Sequence, residues 1–372
     1  MRVDVYDWSS ALKEFTLPWS ELIAQGSYNP SLLPQWLDAT LQAWGLAQNA
    51  RVAVIRHGQR VVAVIPCLVR TQTVLGVPCR CLELCSNVFC YHAEIVCEGD
   101  TGAALEALLG HEQLPAWDVL RCVNVVAGGA TATALRALPR KYAAALSARE
   151  GERSPYVTID RDWKSFLQTR NKKLRANISR SQRLMKEAGE TGMRWFEAGS
   201  DPRELLEAML IVEAQSWKAA AGVAIVAGTP QWHYYERLLP WLTTHGILAN
   251  VLYVKDKPVA YVLCAVSRGW VGQLKTSFVT GLKDAGSRVV DSSIERAFEL
   301  GCKEYDFLGD TAPHKMRWTD HVRAHEDVWL FAPHLRGRAL AGVKKLSDRM
   351  HRWRSSRQQH PSTKTTEGAQ TQ

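Results

Sequence analysis

The sequence predicts a mixed α/β layered fold made of two copies of one unit. The first observation is a repeated hairpin: residues 52–68 and 248–266 each contain two β-rich runs around a polar turn. Sliding one segment onto the other superposes Cys67 on Cys264 without a gap. The hairpin therefore occurs once in each half of the chain.

The second observation is a repeated helix start. The tripeptide Pro-Gln-Trp occurs at Pro34 and again at Pro230, and each copy begins an amphipathic helix that precedes the hairpin. Because helix and hairpin recur in the same order, a duplication explains both matches.

The later elements of the second copy follow from hydrophobic periodicity. Residues 271–279 are strand-like, residues 288–300 have apolar side chains at helical spacing, and residues 303–308 form a further strand. The polar stretch 149–155 is predicted to be the linker between the copies. We therefore expect a degenerate, structural N-terminal domain at 1–150, a catalytic C-terminal domain at 156–333, and at 334–372 a tail that is basic and helical, then disordered.

The net charge of +9 is concentrated in two segments, residues 161–186 and 336–359. No apolar run is long enough to span a bilayer, and the first thirty residues do not follow the pattern of a signal peptide. The nine cysteines then indicate the reducing cytosol.

A zinc site among the clustered cysteines is the alternative to burial as small apolar side chains. No Cys-x-x-Cys knuckle is present, so burial is the preferred interpretation and no metal is expected. The residues concerned are Cys79, Cys81, Cys85, Cys90 and His92.

A basic helix is predicted after residue 170. Lys172, Arg175, Ser179 and Arg183 fall on one of its faces, and guanidinium groups bind phosphate through two hydrogen bonds. We expect this face to meet an anion; a solvated face without a ligand is the alternative.

Glu213, Trp217 and Lys218 lie together at the predicted end of another helix. A carboxylate, an indole and an ammonium in this arrangement could orient an amine nucleophile and accept its proton. The alternative is an ordinary helix end capped by a lysine.

Two further motifs lie towards the end of the second copy. Gly286-Ser287-Arg288 begins a helix, and the free N–H groups there favour a phosphate or carbonyl oxygen, although an ordinary cap is the alternative. Asp306 ends a strand and is followed by a loop carrying Lys315, Arg317 and Trp318. Such strand ends commonly carry functional groups; a surface loop with incidental charge is the alternative.

In this order the motifs KKLRxNxxRxxRxL, ExQSWK, the Gly-Ser helix start and GCKEYDFLGDxxxHKMRW resemble the BioF2-like acetyltransferase domain of the GNAT superfamily. That group includes proteins associated with cellulose and exopolysaccharide biosynthesis. It is similar to the Fem-type aminoacyl transferases, which are tandem GNAT-like domains. The resemblance covers residues 160–329 well and the first 150 residues more loosely.

The resemblance implies a tandem GNAT-like fold and an acyltransferase, with roles carried over by position. Glu213 or Asp306 would accept the proton. The donor would be held by Ser277, Gly286, Ser287 and Arg288, and the acceptor by Arg175, Trp217, Lys218, Lys315, Arg317 and Trp318.

The expected reaction is direct transfer of an acyl group from acyl-CoA, the co-substrate, to an amine or hydroxyl of a small or sugar-linked acceptor. The acyl group is expected to be acetyl. The usual donor loop is shortened here to residues 284–288, and His314 stands where the family has an aromatic residue. An aminoacyl-tRNA donor is the main alternative. A scaffold that binds RNA or an anionic surface without catalysis is the other.

The tail is expected to form a basic helix with one apolar stripe. The stripe either docks on an anionic membrane or RNA or packs against the second domain, and the protein is expected in the cytoplasm or on the inner membrane face. Its members are Leu340, Val343, Leu346, Met350 and Trp353.

Overall fold

A computed structural model describes residues 1–74, 76–84, 91–187 and 191–358, without the side chains of residues 185, 186 and 351–358. Cys85 and Cys90 therefore lie outside the described residues, as do the side chain of Trp353 and the segment 359–372 that was predicted to be disordered.

The described part of the chain forms twelve strands and twelve α-helices, so the predicted mixed α/β class is confirmed. The strands are β1 (Arg2–Asp7), β2 (Ala50–His57), β3 (Arg60–Val74), β4 (Val77–Leu84), β5 (Val119–Val126), β6 (Ala145–Thr158), β7 (Thr191–Phe196), β8 (Ile247–Val254), β9 (Lys257–Ser267), β10 (Trp270–Phe278), β11 (Glu304–Asp306) and β12 (Val322–Phe331). The helices are α1 (Trp8–Gly26), α2 (Pro34–Ala43), α3 (Thr101–Leu109), α4 (Ala130–Ala137), α5 (Trp163–Thr169), α6 (Lys172–Glu187), α7 (Pro202–Ala214), α8 (Trp217–Ala220), α9 (Pro230–His245), α10 (Ala285–Glu299), α11 (Pro313–Met316) and α12 (Leu335–Gln358).

All twelve strands form one sheet in the order β1-β2-β3-β4-β5-β12-β6-β11-β10-β9-β8-β7. From either end inwards the sheet has three antiparallel pairings and then one parallel pairing. A helix joins the parallel strands in both halves, α3 in the first and α10 in the second. Cys67 and Cys264 lie on β3 and β9, the third strand of each half, which confirms the duplication.

The two halves exchange their last strands. β12, at the end of the second copy, pairs with β5 of the first, and β6 from the first copy pairs with β11 of the second. The predicted linker at 149–155 is therefore wrong, because these residues lie within β6 and pair with β12. Their polar composition reflects charges paired across the sheet: Arg149 lies 2.9 Å from Asp327 and 4.9 Å from the centre of the Trp329 ring.

The two faces of the second half are covered differently. One face packs against α7 and α9, and α2 of the first half lies against α9 there, with the Trp36 and Trp241 rings in edge contact. The other face packs against α6 and α10, which bury Leu174, Ile178 and Val289. The first of these faces is therefore also the interface between the halves.

Four of the described cysteines of the first half are buried on strands, as the preferred interpretation expected, whereas Cys97 is partly exposed outside the named strands. Cys67 lies on β3, and Cys79 and Cys81 lie on β4 with buried side chains. Burial raises the pKa of Cys67 to about 12, so this thiol stays protonated and unreactive.

The tail forms α12, but most of the predicted stripe is not buried. Leu340 packs with Phe331 and Trp329, whereas Val343, Leu346 and Met350 are exposed. The buried face runs instead through Gly337, Leu340, Ala341 and Lys344, because these four positions face β6 and β12. None of the described helices is both long and apolar enough to cross a membrane.

Truncation after Pro333 is expected to lower the melting temperature, because it removes the buried Leu340 and Ala341 side chains. Burial of one leucine contributes about 1.5–3 kcal/mol, so the free energy of unfolding should fall by roughly 2–4 kcal/mol. Truncation after Lys345 keeps the packed face and is the control. Thermal unfolding of both proteins measures the difference, and equal melting temperatures would contradict the packing.

Candidate active site

The sheet of the second half opens between β10 and β11. The two strands pair over only three residues, from Trp270 to Gly272 on β10, and β11 then ends while β10 continues to Phe278. A β-bulge interrupts β10 between Gln273 and Lys275. Residues 273–278, here called the open edge, therefore have a strand on one side only, and their other side can meet a ligand's polar atoms.

A cluster of one acid and two lysines, here called the acid–lysine cluster, lies beside the open edge. The fully buried Glu213 accepts hydrogen bonds from the Tyr261 hydroxyl at 2.7 Å and the Lys218 ammonium at 3.3 Å. The Lys275 Nζ lies 3.8 Å from the same carboxylate oxygen. The second oxygen accepts the backbone N–H of Ile225 at 3.1 Å.

The electrostatics of this cluster separate the roles of its members. Burial lowers the pKa of Lys275 to about 8, the charge of Lys218 adds to this, and Glu213 compensates only in part. Although burial opposes ionisation of Glu213, Lys275 and Lys218 hold its pKa below the ordinary value. Glu213 is thus a stable carboxylate and a weak base, whereas Lys275 can gain and lose a proton near neutral pH.

The start of α10 carries buried polar atoms without hydrogen-bond partners. They are Arg288 Nη1, Asp291 Oδ1 and Arg317 Nε, and the Oδ1 of Asp291 lies 3.5 Å from Arg317 Nη2. Burial raises the pKa of Asp291 to about 7. A Cβ on Gly286 would lie 2.4 Å from the Phe278 ring, so only glycine fits at this turn. Polar groups left unpaired in a buried place are typical of a site that awaits a polar ligand.

The basic helix α6 packs its apolar side against α10 and presents its charges outward. Arg180 reaches Asp284, just before α10, at 2.9 Å. Arg175 donates to the carbonyl of Arg170 at 2.6 Å and to two further carbonyls at the end of α5. Arg175 therefore donates hydrogen bonds to backbone carbonyl groups at the end of α5, and its contact with an acceptor stays a prediction.

Asp306 is the centre of a buried network between the halves. It lies 3.2 Å from His92 of the first half and pairs with Arg323, while the N–H of Leu308 donates to its other oxygen at 2.8 Å. Despite burial, the hydrogen bond from His92 and the charge of Arg323 hold its pKa below the ordinary value. Its carboxylate has no exposed surface, so the geometry opposes the expected role of Asp306 as proton acceptor.

The remaining predicted residues fall in separate places. Ser277 lies on the open edge opposite Tyr261, and Lys315 donates to the carbonyl of Leu308 at 2.6 Å. Trp318 is fully buried, whereas Trp217, the chain neighbour of Lys218, is 54% exposed. The structure therefore groups Glu213 with Lys218 and Arg288 with Arg317, but it does not unite the whole set.

Sequence reasoning missed Lys275, Tyr261 and Asp291. A lysine within an apolar strand is the one signal that could have drawn attention to Lys275, because such a charge needs a buried partner. Tyr261 and Asp291 follow ordinary strand and helix patterns, so their roles emerge only from their neighbours in space.

Similarity to known proteins is found with one sequence model and with several solved structures. The sequence model of the acetyltransferase (GNAT) domain matches residues 172–316. A comparison with curated protein sequences gives no significant match.

Several solved structures share the fold at low sequence identity. A conserved protein of unknown function from Bacteroides thetaiotaomicron aligns with a TM-score of 0.60 and 13% identity, covering 89% of this chain and 100% of its own. FemX aligns with a TM-score of 0.60 and 12% identity, covering 88% and 97%. The C-terminal domain of a putative lysylphosphatidylglycerol synthetase from Agrobacterium fabrum aligns with a TM-score of 0.56 and 11% identity, covering 90% and 96%.

These alignments span both halves, and the family model falls within the half that carries the acid–lysine cluster and the start of α10. The chain therefore has a tandem GNAT-type fold, and its second unit is the part that is similar to the acetyltransferase (GNAT) domain.

Proposed function

We propose that the protein is an acyltransferase that moves an acyl group from acyl-CoA to an amine at the open edge of β10. The observation that carries the proposal is Lys275, a buried amine at the bulge of β10 whose pKa lies near 8. A general base works best when its pKa is close to the working pH, and burial beside a second cation tunes a lysine in this way.

The proposed reaction is a direct transfer. The acceptor nitrogen attacks the thioester carbonyl carbon, its proton passes to the neutral Lys275, and the C–S bond breaks to release the coenzyme A thiolate. Glu213 holds Lys275 in place, the charge of Lys218 helps to lower the pKa of that amine, and backbone N–H groups of the open edge stabilise the oxyanion. No covalent enzyme intermediate is formed.

The donor's phosphates would dock at the start of α10. The free N–H groups of a helix start and the dipole both favour an anion there, and Arg288 holds a buried nitrogen atom without a hydrogen-bond partner. Ser277, Gly286 and Ser287 complete this donor site. The acceptor side, in this proposal, uses Lys315 and Arg317 to hold an anionic group.

Ser287→Glu is expected to reduce acyl-CoA affinity at least tenfold, because it places a negative charge where the pyrophosphate docks. Ser9→Glu, which adds the same charge at the start of α1 in the other half, is the matched control. Titration calorimetry with acetyl-CoA compares both variants with the parent protein. Equal affinities in all three would remove the donor site from α10.

An aminoacyl-tRNA donor is the second candidate, and the exposed basic side of α6 favours it. Lys172, Lys173 and Arg183 extend into solvent there, as an RNA backbone would require. Binding of tRNA that weakens steeply with salt, together with no binding of acyl-CoA, would select this donor.

We also propose a subgroup, an acceptor and a cellular location for the protein. We assign it to the BioF2-like group, with a sugar-linked acceptor of polysaccharide biosynthesis, working in the cytoplasm at the inner membrane face. The exposed Val343, Leu346 and Met350 of α12, flanked by Lys345 and Arg349, favour contact with an anionic membrane.

A further inference from the structure

A concave apolar pocket of about 340 Å³ lies beside the acid–lysine cluster. The end of α7, the short helix α8 and the loop before α9 form it, and its lining runs from Leu210 to Ala227. Every lining residue is alanine, glycine, leucine, isoleucine or valine. The pocket therefore offers no polar side chain to a ligand.

The room in this pocket comes from short side chains. Ala214, Ala219 and Ala224 line it, and Gly222 adopts a φ of +70° with nothing within 4 Å of the place of its missing Cβ. Leucines at these places would fill the space and bury more apolar surface. A pocket of this size with an aliphatic lining suits a hydrocarbon group, because a polar ligand would lose its hydrogen bonds to water without replacement.

The pocket is joined to the proposed reaction centre through Ile225. The Ile225 side chain lines the pocket, and its backbone N–H donates to the Glu213 carboxylate at 3.1 Å. The other oxygen of Glu213 lies 3.8 Å from Lys275 Nζ. The pocket therefore adjoins the acid–lysine cluster, with Ile225 between them.

The surroundings of the pocket are also apolar. Val226 of the lining and the nearby Val223 are each more than half exposed. Exposed apolar side chains that are grouped rather than scattered mark a binding surface. They extend the apolar surface beyond the pocket, where a longer chain would leave it.

We propose that this pocket binds the hydrocarbon chain of a fatty acyl substrate, so that the enzyme prefers medium or long acyl chains over acetyl. This inference rests on the proposed function and names the acyl group that it transfers. The chain belongs to the thioester donor; a lipid acceptor that presents the same hydrocarbon is the alternative that the test distinguishes.

Titration calorimetry with acetyl-, hexanoyl- and decanoyl-CoA tests the donor source. Each methylene buried contributes about 0.8 kcal/mol, or roughly fourfold in affinity, so decanoyl-CoA should bind at least 30-fold more tightly than acetyl-CoA. Ala224→Phe fills the pocket and should reduce this ratio to below threefold without changing the affinity for acetyl-CoA. Ala130→Phe adds the same ring at an exposed position at the start of α4, in the other half of the protein, and should keep the ratio.

Ala214→Leu provides a second filling variant on a regular helix, in case Ala224→Phe disturbs its loop; circular dichroism checks both folds. Titration with dioctanoylphosphatidic acid tests the acceptor source, and binding that both filling variants abolish would assign the chain to the acceptor. The proposed role of the pocket is wrong if acetyl- and decanoyl-CoA bind with equal affinity and the variants do not change lipid binding. That result would leave the proposed function intact. If no acyl-CoA binds, acyl-CoA is not the donor and the proposed function is wrong. The lipid titration would then still show whether the pocket binds a hydrocarbon chain.

Discussion

Replacing Lys275 by methionine is expected to lower kcat by about 10²–10⁴-fold, the usual contribution of a positioned proton acceptor. Donor affinity should stay nearly constant, because Lys275 acts on the acceptor's proton in the transition state. Methionine keeps the apolar stem and its packing while removing the amine. Steady-state kinetics with a saturating donor gives kcat, and calorimetry gives the affinity.

Lys275→Arg is the matched control for charge. Arginine is not deprotonated in proteins, so it keeps the cation but cannot accept a proton. The proposal expects this variant to be as inactive as Lys275→Met; an active Lys275→Arg protein would show that the positive charge, and not the base, matters.

The pH dependence of the parent enzyme gives a further check on Lys275. The neutral amine is the active form, and the pKa of Lys275 is about 8. The rate should therefore rise about tenfold per pH unit below pH 8 and reach a plateau above it. A rate that falls as the pH rises through 8 would assign Lys275 the opposite role, that of a cation stabilising the oxyanion.

Asp306→Ala is expected to reduce the free energy of unfolding by about 3–5 kcal/mol, because it removes the buried carboxylate shared by His92 and Arg323 and leaves Arg323 with Glu304 alone. Urea denaturation measures the loss. Asp160→Ala, which removes an exposed carboxylate paired with its neighbour Arg161, should leave the denaturation midpoint unchanged.

The triple variant Asp306→Ala/Glu304→Gln/Arg323→Met removes the whole ion cluster, because Arg323 also pairs with Glu304 at 2.9 Å. It should recover part of the stability lost in Asp306→Ala, since no charge of the cluster is then left without a partner. If Asp306→Ala unfolds at the parent's urea concentration, the network does not hold the halves together.

The elements that the sequence predicted are those with a strong local pattern. Both hairpins, the helix starts at Pro34 and Pro230 and the helix α10 were found from periodicity and from turn and cap residues, which act over a few positions. The duplication followed from the same local signals, because it only required that they recur.

What the sequence could not predict depends on contacts between distant residues. His92 meets Asp306 across 214 positions, and no pattern near either residue announces the other. Lys275 becomes a base because it is largely buried and because the charge of Lys218, on α8, lowers its pKa further. The stretch 149–155 has the composition of a linker but lies in a strand, because its charged partners are on β12.

The exchange of β6 and β12 also fixes the time at which the protein can fold during synthesis. β5 leaves the ribosome about 195 residues before β12, its neighbour in the sheet. At a synthesis rate of roughly 5–20 residues per second, the first half waits on the order of 10–40 seconds with one strand edge uncovered. Such an edge can pair with another chain, so growing chains that are close together on one messenger RNA should be most prone to aggregate before residue 331 is made.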